Sequence, residues 1–320
     1  MMEPIVSGLV RRGLKLSHLK LFAALSQSGQ MSIAAKALAI SQPAASRLAA
    51  EAAHIAGAVL YERTNRGVEL TPAGQILARR ARRMLQEIDE TERELSEAGA
   101  GKLGKVRIGS VTGPSVEHML PAVRQARLDM PRITVNIEVG TSDVLGEALL
   151  QGNLDFYLGR LPTGQDKRQF EASFIGPEPI SLIVREGHPL LRLPIQAEER
   201  LSEFDWVLPF EATLLRSTVE STLLARGISL PRKVLNTSSF MLTVMTVSRT
   251  NAIAPISTAV ADFFAENFGA PAAIAKLPIA FDIEVEAYAL IRMAGRELTP
   301  AAQAMYDIVD AEVSHKRPGF

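Results

Sequence analysis

Two fold classes follow one another in this sequence of 320 residues: an α+β head built as a winged helix-turn-helix, and an α/β body beyond one long linker helix. Three observations predict them. Ser41-Gln42-Pro43 sets a cap-forming serine ahead of a proline tolerated in a first turn, which starts a helix just after a short alanine-rich one. From Leu70 to Leu95 the apolar positions step alternately by four and three residues over a stretch with no internal breaker. After Gly104, short apolar runs alternate with helical ones, as in α/β proteins with a largely parallel sheet.

Residues 1–14 read as a poorly ordered leader. Helix one is expected from near Ser17, a cap residue, with Leu19, Phe22, Ala23 and Leu25 at near-helical spacing until Gly29 ends it. Ser32 to Leu38 forms two further turns, and Ala39-Ile40 is only long enough for a tight connection. A second helix opening at Ser41 then completes a helix-turn-helix, whose second helix enters the DNA major groove. On it Gln42, Ser46 and Arg47 share one side, while Ala45, Leu48, Ala49 and Ala52 are available for the other. Gln and Arg are the side chains that pair bidentately with adenine and guanine edges. Val59 to Arg63 and Val68 to Leu70 flank Thr64-Asn65-Arg66-Gly67, the pattern of a hairpin wing with Arg63 and Arg66 placed for phosphate. The expected DNA-contacting set is Ser32, Ser41, Gln42, Pro43, Ser46, Arg47, Arg63 and Arg66. The plain alternative is an alanine-rich helix pair with a surface hairpin.

The run SIAAKALAISQPAASR followed by LYERTNRGVELTPAGQ resembles the winged helix-turn-helix of LysR-type transcriptional regulators, without a gap from about Leu16 to Leu85. The family usually has a leucine followed by acidic residues late in the recognition helix; Ala52 and Ala53 stand here.

Charge distribution supports the same division. The chain has net charge zero, yet residues 11 to 84 hold 12 Lys plus Arg against 3 Glu, leaving +9 there and −9 elsewhere. A basic head on an acidic body suits a DNA reader with a separate sensing domain. The absence of cysteine excludes disulfides and thiolate metal sites and fits a cytoplasmic protein. No secretory pattern is seen at the N-terminus, and no run approaches the roughly 18 apolar residues of a membrane span.

Thr71-Pro72 repeats the cap-and-proline signal and opens a helix to about Ala98, about 40 Å long. Its seam is Leu70, Gly74, Leu77, Ala81, Met84, Ile88, Thr91 and Leu95. Arg79, Arg80, Arg82 and Arg83 load the first half; Glu87, Asp89, Glu90, Glu92, Glu94 and Glu97 load the second. An antiparallel copy sets basic against acidic, so an antiparallel homodimer is expected, as the resemblance also implies. The alternative is a solvated spacer whose seam rests on its own head. The glycines of residues 99–104 mark a hinge.

In the body, Val106 to Gly109, the alternating Ile133, Val135, Ile137 and Val139, and Leu154 to Leu158 read as strands, with helices over Ser115 to Met130 and Asp143 to Gln151 between them. Further strands are expected at Ile180 to Val184 and near Trp206 to Leu208, Lys233 to Asn236, Ala252 to Ala254 and Glu284 to Ile291, with a last helix from Thr299-Pro300. EPISLIVREGHPL resembles the first strand of the family's second effector subdomain. That resemblance implies a bilobed periplasmic-binding-protein-like effector domain over 105–320, lobe one being 105–177 plus 294–320 and lobe two 178–293. The resulting division is a head over 1–70, a linker helix over 71–98, a hinge over 99–104 and the effector domain.

Ligands of open α/β sheets gather beyond the carboxyl ends of strands. Ser110, Thr112, Thr141 and Ser142 follow the first two strands of lobe one, and Ser238 and Ser239 follow a strand of lobe two; these six are the expected effector-binding residues. Each also qualifies as an ordinary helix cap. Family members that bind carboxylates use positions matching Thr112 and Thr141, whereas SVTGPSVEHMLP, TSDVLGE and LDFYLGR resemble a sugar-responsive branch. The implied effector is a sugar or a small carboxylate. The resemblance further implies a double-stranded DNA operator, a dimer or dimer of dimers, and RNA polymerase as partners. His18, His54, His118, His188 and His315 are scattered without metal-ligand spacing, and neither a nucleophile elbow nor a phosphate loop is present, so neither an enzyme nor a cofactor is expected. The competing readings, an enzyme or small-molecule-binding protein with an accessory DNA-binding head, and a secreted solute-binding protein, lack those motifs or a signal peptide.

Overall fold

The computed structural model describes residues 8–65, 67–100, 104–193, 198–267 and 274–316. It divides into two compact units, Met1–Gly101 and Lys102–Phe320.

The first unit opens with a helical turn, α1 (Gly8–Arg11), where the sequence suggests only a leader. Helices α2 (Leu16–Ser28), α3 (Met31–Ala37) and α4 (Gln42–Ala56) precede a hairpin of β1 (Tyr61–Thr64) and β2 (Gly67–Leu70), and then α5 (Pro72–Ala100). Ser17 is not the cap of α2. Lys15 holds that position, and its backbone N–H donates to Nδ1 of the buried His18 at 3.0 Å, so the histidine does the capping from three residues downstream. Gly29 ends α2 at φ 60°, as expected. Small side chains let the helices close on one another: Ala34, Ala35, Ala45, Ala49 and Ala52 are buried with Leu21, Phe22 and Leu25. Ala52, at the departure from the family pattern, is therefore a core position.

Thr71 caps α5 as expected. Its Oγ1 accepts from the Gly74 N–H at 3.1 Å and donates to the Val59 carbonyl at 2.6 Å, pinning the helix to the segment that leads into the wing's first strand. Gly74 permits that approach, since any Cβ there would run into the Leu60 carbonyl. The heptad seam, expected to be continuous, is divided. Gly74 and Ala81 are buried and Leu77 half-buried in the head, where α5 packs on α2, whereas Met84 (49 %), Ile88 (45 %) and Leu95 (70 %) are exposed. Gly99 and Ala100 of the expected hinge still belong to α5, and residues 101–103 lie outside the described residues.

In the second unit, β3 (Lys105–Ser110) leads through α6 (Thr112–Pro114) and a π-helical turn (Ser115–Met119) to α7 (Leu120–Asp129), followed by β4 (Thr134–Val139), α8 (Ser142–Leu150) and β5 (Phe156–Gly159). Then come β6 (Phe170–Arg185), β7 (Trp206–Leu208), α9 (Leu214–Ala225), β8 (Val234–Asn236), α10 (Phe240–Arg249), β9 (Ala254–Ser257), α11 (Thr258–Asn267), β10 (Ile274–Lys276), β11 (Ile283–Met293) and α12 (Pro300–Lys316). Residues 254–257, not 252–254, form the strand paired with β6; Ile253 makes only an isolated parallel bridge to Trp206.

The main sheet runs β10-β6-β11-β5-β3-β4, with β9 also on β6. It is mixed, not largely parallel. Among the described residues, parallel pairing of strands is confined to β5-β3-β4 and to the separate β7–β8 pair, apart from the Trp206–Ile253 bridge, while β6 and β11 pair antiparallel with each other and with β5, β9 and β10. The cause is length: β6 has 16 residues and β11 has 11, and each runs through both lobes. The apolar run Ile180 to Val184 is only the buried end of β6. Residues 170–174 of β6 pair with 289–293 of β11 in lobe one, and 180–183 pair with β9 in lobe two. Alternation along a strand sends neighbours to opposite faces: Leu182 and Val184 join Trp206, Val219 and Ile283, and Ile183 joins Val207, Val244 and Val260. Lobe one is layered the same way, with α7 and α12 over Ile108, Phe156 and Leu158 on one face and α8 over Tyr157 and Ile291 on the other.

Candidate nucleic-acid interface and effector cleft

The head bears a hollow of about 530 Å³ between the start of α3, the start of α4 and the wing. Ser32, Gln42, Pro43, Ser46 and Arg63 line it, so five of the eight expected DNA-contacting residues converge on one concavity. The face of α4 opposite to them carries Ala45, Ala49, Ala52 and Ile55 into the core, which fixes which side stays outward. Ser41 acts as the cap of α4, its Oγ accepting from the Ala44 N–H at 3.4 Å. Arg47 is exposed beside Ser46 on the same helix and does not line the hollow. Arg63 sits in β1, and its guanidinium reaches Ser46 Oγ at 3.5 Å, so wing and helix meet across the hollow. Arg66 lies outside the described residues. A concave, basic surface floored by amide, hydroxyl and guanidinium groups offers both bidentate base pairing and phosphate contact.

In the second unit the six hydroxyls divide into two groups. Ser110 is buried and donates to the Val111 carbonyl at 2.9 Å, Ser142 Oγ accepts from the Arg160 N–H at 2.9 Å, and Ser239 Oγ caps α10 by accepting from the Leu242 N–H at 3.2 Å. Thr112, Thr141 and Ser238 are exposed, with no side-chain hydrogen bond among the described residues. They remain free to meet a ligand.

Two charged residues at the lobe junction escape a reading by motif. Arg160, the last residue of LDFYLGR, is buried and donates to Glu178 Oε2 at 2.9 Å and to the Glu286 carbonyl at 2.8 Å. It thereby ties the loop after β5 to both long strands. The only local signal is an arginine closing an almost wholly apolar run; its partner is set by pairing across the sheet. Beside it, Tyr288 OH and His118 Nε2 are 2.7 Å apart. Burial first, and the carboxylates of Glu117 and Glu178 next, push the Tyr288 phenol above its ordinary range. His118 is thus a buried structural residue. Contacts join α6 to β9 and α11, and Ser257 is the lobe-two hydroxyl that meets Gly113 there. Among the described residues no group of His, Asp and Glu is placed to hold a metal ion, and no helix is long and apolar enough to cross a membrane.

A helix-turn-helix with a wing and a long helix, followed in the chain by a two-lobed α/β unit, defines the class of ligand-responsive DNA-binding regulators. Comparison with known proteins makes the assignment specific. The family model described as the LysR substrate binding domain matches residues 99–314, and that of the bacterial regulatory helix-turn-helix protein, lysR family, matches residues 16–75. The chain belongs to the LysR family and is a DNA-binding transcriptional regulator with an effector-binding domain. It is 43 % identical over 252 residues to the HTH-type transcriptional regulator GbpR of Rhizobium radiobacter, covering 78 % of this chain and 83 % of that one. To GbpR of Azospirillum brasilense it is 36 % identical over 292 residues, covering 91 % and 84 %. Among solved structures, a full-length OxyR variant from Pseudomonas aeruginosa superposes with a TM-score of 0.58 at 20 % identity, covering 94 % of both chains. Full-length CbnR complexed with its target DNA gives 0.50 at 23 % identity, covering 94 % of this chain and 100 % of that one. At these identities the structures show a shared fold.

Proposed function

We propose that the hollow of the head reads an operator sequence in double-stranded DNA, and that a small molecule held between the lobes of the body controls this reading. The observation that carries the first part is the convergence of Gln42, Ser46 and Arg63 on one concavity. Gln42, Ser46 and Arg47 address base edges from α4, while Ser32, Arg63 and Arg66 hold the backbone. The exposed half of the α5 seam supports pairing with an antiparallel second copy, which brings two heads to two half-sites; a dimer of dimers and contact with RNA polymerase follow the same reading. Head (1–70), linker helix (71–98) and effector domain (105–320) then divide the labour. The effector is a sugar or a small carboxylate bound at Thr112 and Thr141, with Ser110 and Ser142 behind them and Ser238 and Ser239 on the second lobe. The protein acts in the cytoplasm as a regulator and not as an enzyme.

An effector shifts such an assembly only through its differential affinity for two states, typically about 1–3 kcal/mol of coupling. Sequencing the DNA protected by the purified protein, with and without candidate metabolites, tests both halves. Protection of a two-fold repeat that changes in extent with one metabolite is expected. Uniform binding to all DNA, indifferent to every metabolite, would refute the reading.

A further inference from the structure

We infer that the segment ahead of α2, carrying Arg11 and Arg12, is a second phosphate-binding surface of the head and grips the DNA backbone on the side of α4 away from the wing; this rests on α4 being the helix that reads the operator. At 3.6 residues per turn, Gln42 and Ser46 stand within about 40° of one another around α4, Arg47 follows about 100° further on, and Glu51 and Ile55 come after it in steps of about 40° towards the core. The wing closes the first edge of this outward arc, since Arg63 meets Ser46 and both line the hollow with Gln42. The start of α2 closes the other edge: Lys15 Nζ lies 3.8 Å and His18 Nε2 3.5 Å from the Glu51 carboxylate.

A helix in the major groove, which is about 12 Å wide, has a phosphate backbone on each side of it. Arg63 is placed for one of these backbones, and the charges of the opposite edge suit the other. Glu51 is the one carboxylate of α4, and Lys15 sets a cation against it, so it does not stand as a bare negative charge towards phosphate. Arg11 and Arg12 are exposed, and their side chains make no hydrogen bond or ion pair among the described residues. An unpartnered guanidinium matches phosphate bidentately. The segment does not trail away from the head. Gly13, at φ 96°, donates its N–H to the Val10 carbonyl at 2.9 Å, and the Leu14 N–H donates to the Leu9 carbonyl at 3.0 Å, which turns α1 back at the start of α2. Arg12 is three residues from Lys15, so their Cα atoms are at most about 11 Å apart, which keeps Arg12 near the Glu51 edge of α4.

Fluorescence anisotropy of the full chain over a salt series, on a duplex selected with the wild-type protein and on a scrambled duplex, tests the inference. Each phosphate contact adds about 0.9 to the slope of log K against log[salt], so Arg11→Gln with Arg12→Gln should make the slope shallower by about 1–2 for each head bound. The ratio of affinities for the two duplexes should hold, because backbone contacts carry no sequence information, and the melting temperature should hold because no internal partner is lost. Arg11→Lys with Arg12→Lys, which keeps the charges, should keep the wild-type slope. A glutamine pair with the wild-type slope, while Arg63→Ala lowers it, overturns the inference and leaves α4 and the wing as the DNA surface. A lysine pair as shallow as the glutamine pair, or a glutamine pair with a lowered melting temperature, also overturns it by showing a structural role. If selection enriches no duplex at all, the operator reading falls with it.

Discussion

Met84→Asp tests whether the exposed half of α5 is a dimer seam. Met84 is 49 % exposed in the single chain, as is much of Ile88 and Leu95 on the same stripe, so about half of its side chain is left to bury against a partner. Full burial of a methionine side chain stabilises by about 1.5–3 kcal/mol, so the remaining half contributes about 1 kcal/mol, twice over in a symmetric pair. The aspartate also places a carboxylate in the seam, and an unsatisfied buried polar group costs at least about 1–3 kcal/mol at each of two sites. The total of about 4–8 kcal/mol raises the dimer dissociation constant at least about a thousandfold. Because Met84 lies beyond the alanine-lined core of the head, the monomer should keep its fold. Sedimentation velocity of wild type and variant at equal concentration measures the change, and operator binding by the paired heads should be lost with it. A variant that sediments as wild type would refute both the seam and the reasoning from its split burial.

Arg47→Ala should cost about 1–3 kcal/mol on the specific site and little on random DNA, measured by competition binding, whereas Arg63→Ala should weaken both together and flatten the salt dependence; equal loss for Arg47→Ala on both DNAs would demote it to a phosphate contact. Ala39, the turn residue between α3 and α4, has φ 54°, a left-handed conformation that costs an L-residue with a Cβ about 1–2 kcal/mol, so Ala39→Gly should raise the thermal stability of the head or leave it level; a clear drop in melting temperature would contradict this. His188 gives a pH dependence: its Nδ1 accepts from the Leu190 N–H at 3.2 Å and its Nε2 lies 3.1 Å from the Asn251 carbonyl, and burial holds its pKa below the ordinary 6.5. The folded state then binds fewer protons than the unfolded one, so this contribution is intact above about pH 6.5 and is lost as pH falls toward the lowered folded value; His188→Asn should flatten the melting-temperature profile in that acid range, and an unchanged slope would exclude His188 as its source.

The sequence alone determined the parts of this protein that local chemistry specifies. Ser41 before Pro43, Thr71 before Pro72 and Gly29 after Leu25 each satisfy or terminate backbone hydrogen bonds within four residues, so these three helix limits are written in the chain itself, whereas the start of α2 is set by the His18 side chain and not by Ser17. The outward face of α4 was legible because a period of 3.6 separates Gln42, Ser46 and Arg47 from Ala45, Ala49 and Ala52. Only the tertiary structure decided what the same signals are used for. The seam of α5 has one spacing along its length, but α2 covers Ala81 and leaves Ile88 bare. The apolar run at Ile180 to Val184 does not disclose that its strand begins at Phe170 and serves both lobes, since the polar half of β6 is held by pairing with β11 rather than by burial. Three of the six hydroxyls chosen for the cleft are consumed by backbone groups, while Glu178 meets Arg160 on one side and, with Ser257, packs against Gly113 on the other, all from segments far apart in the chain. Periodicity and capping report the face or the end of one segment; which residue stands opposite depends on register between segments, and that is fixed only when the lobes fold.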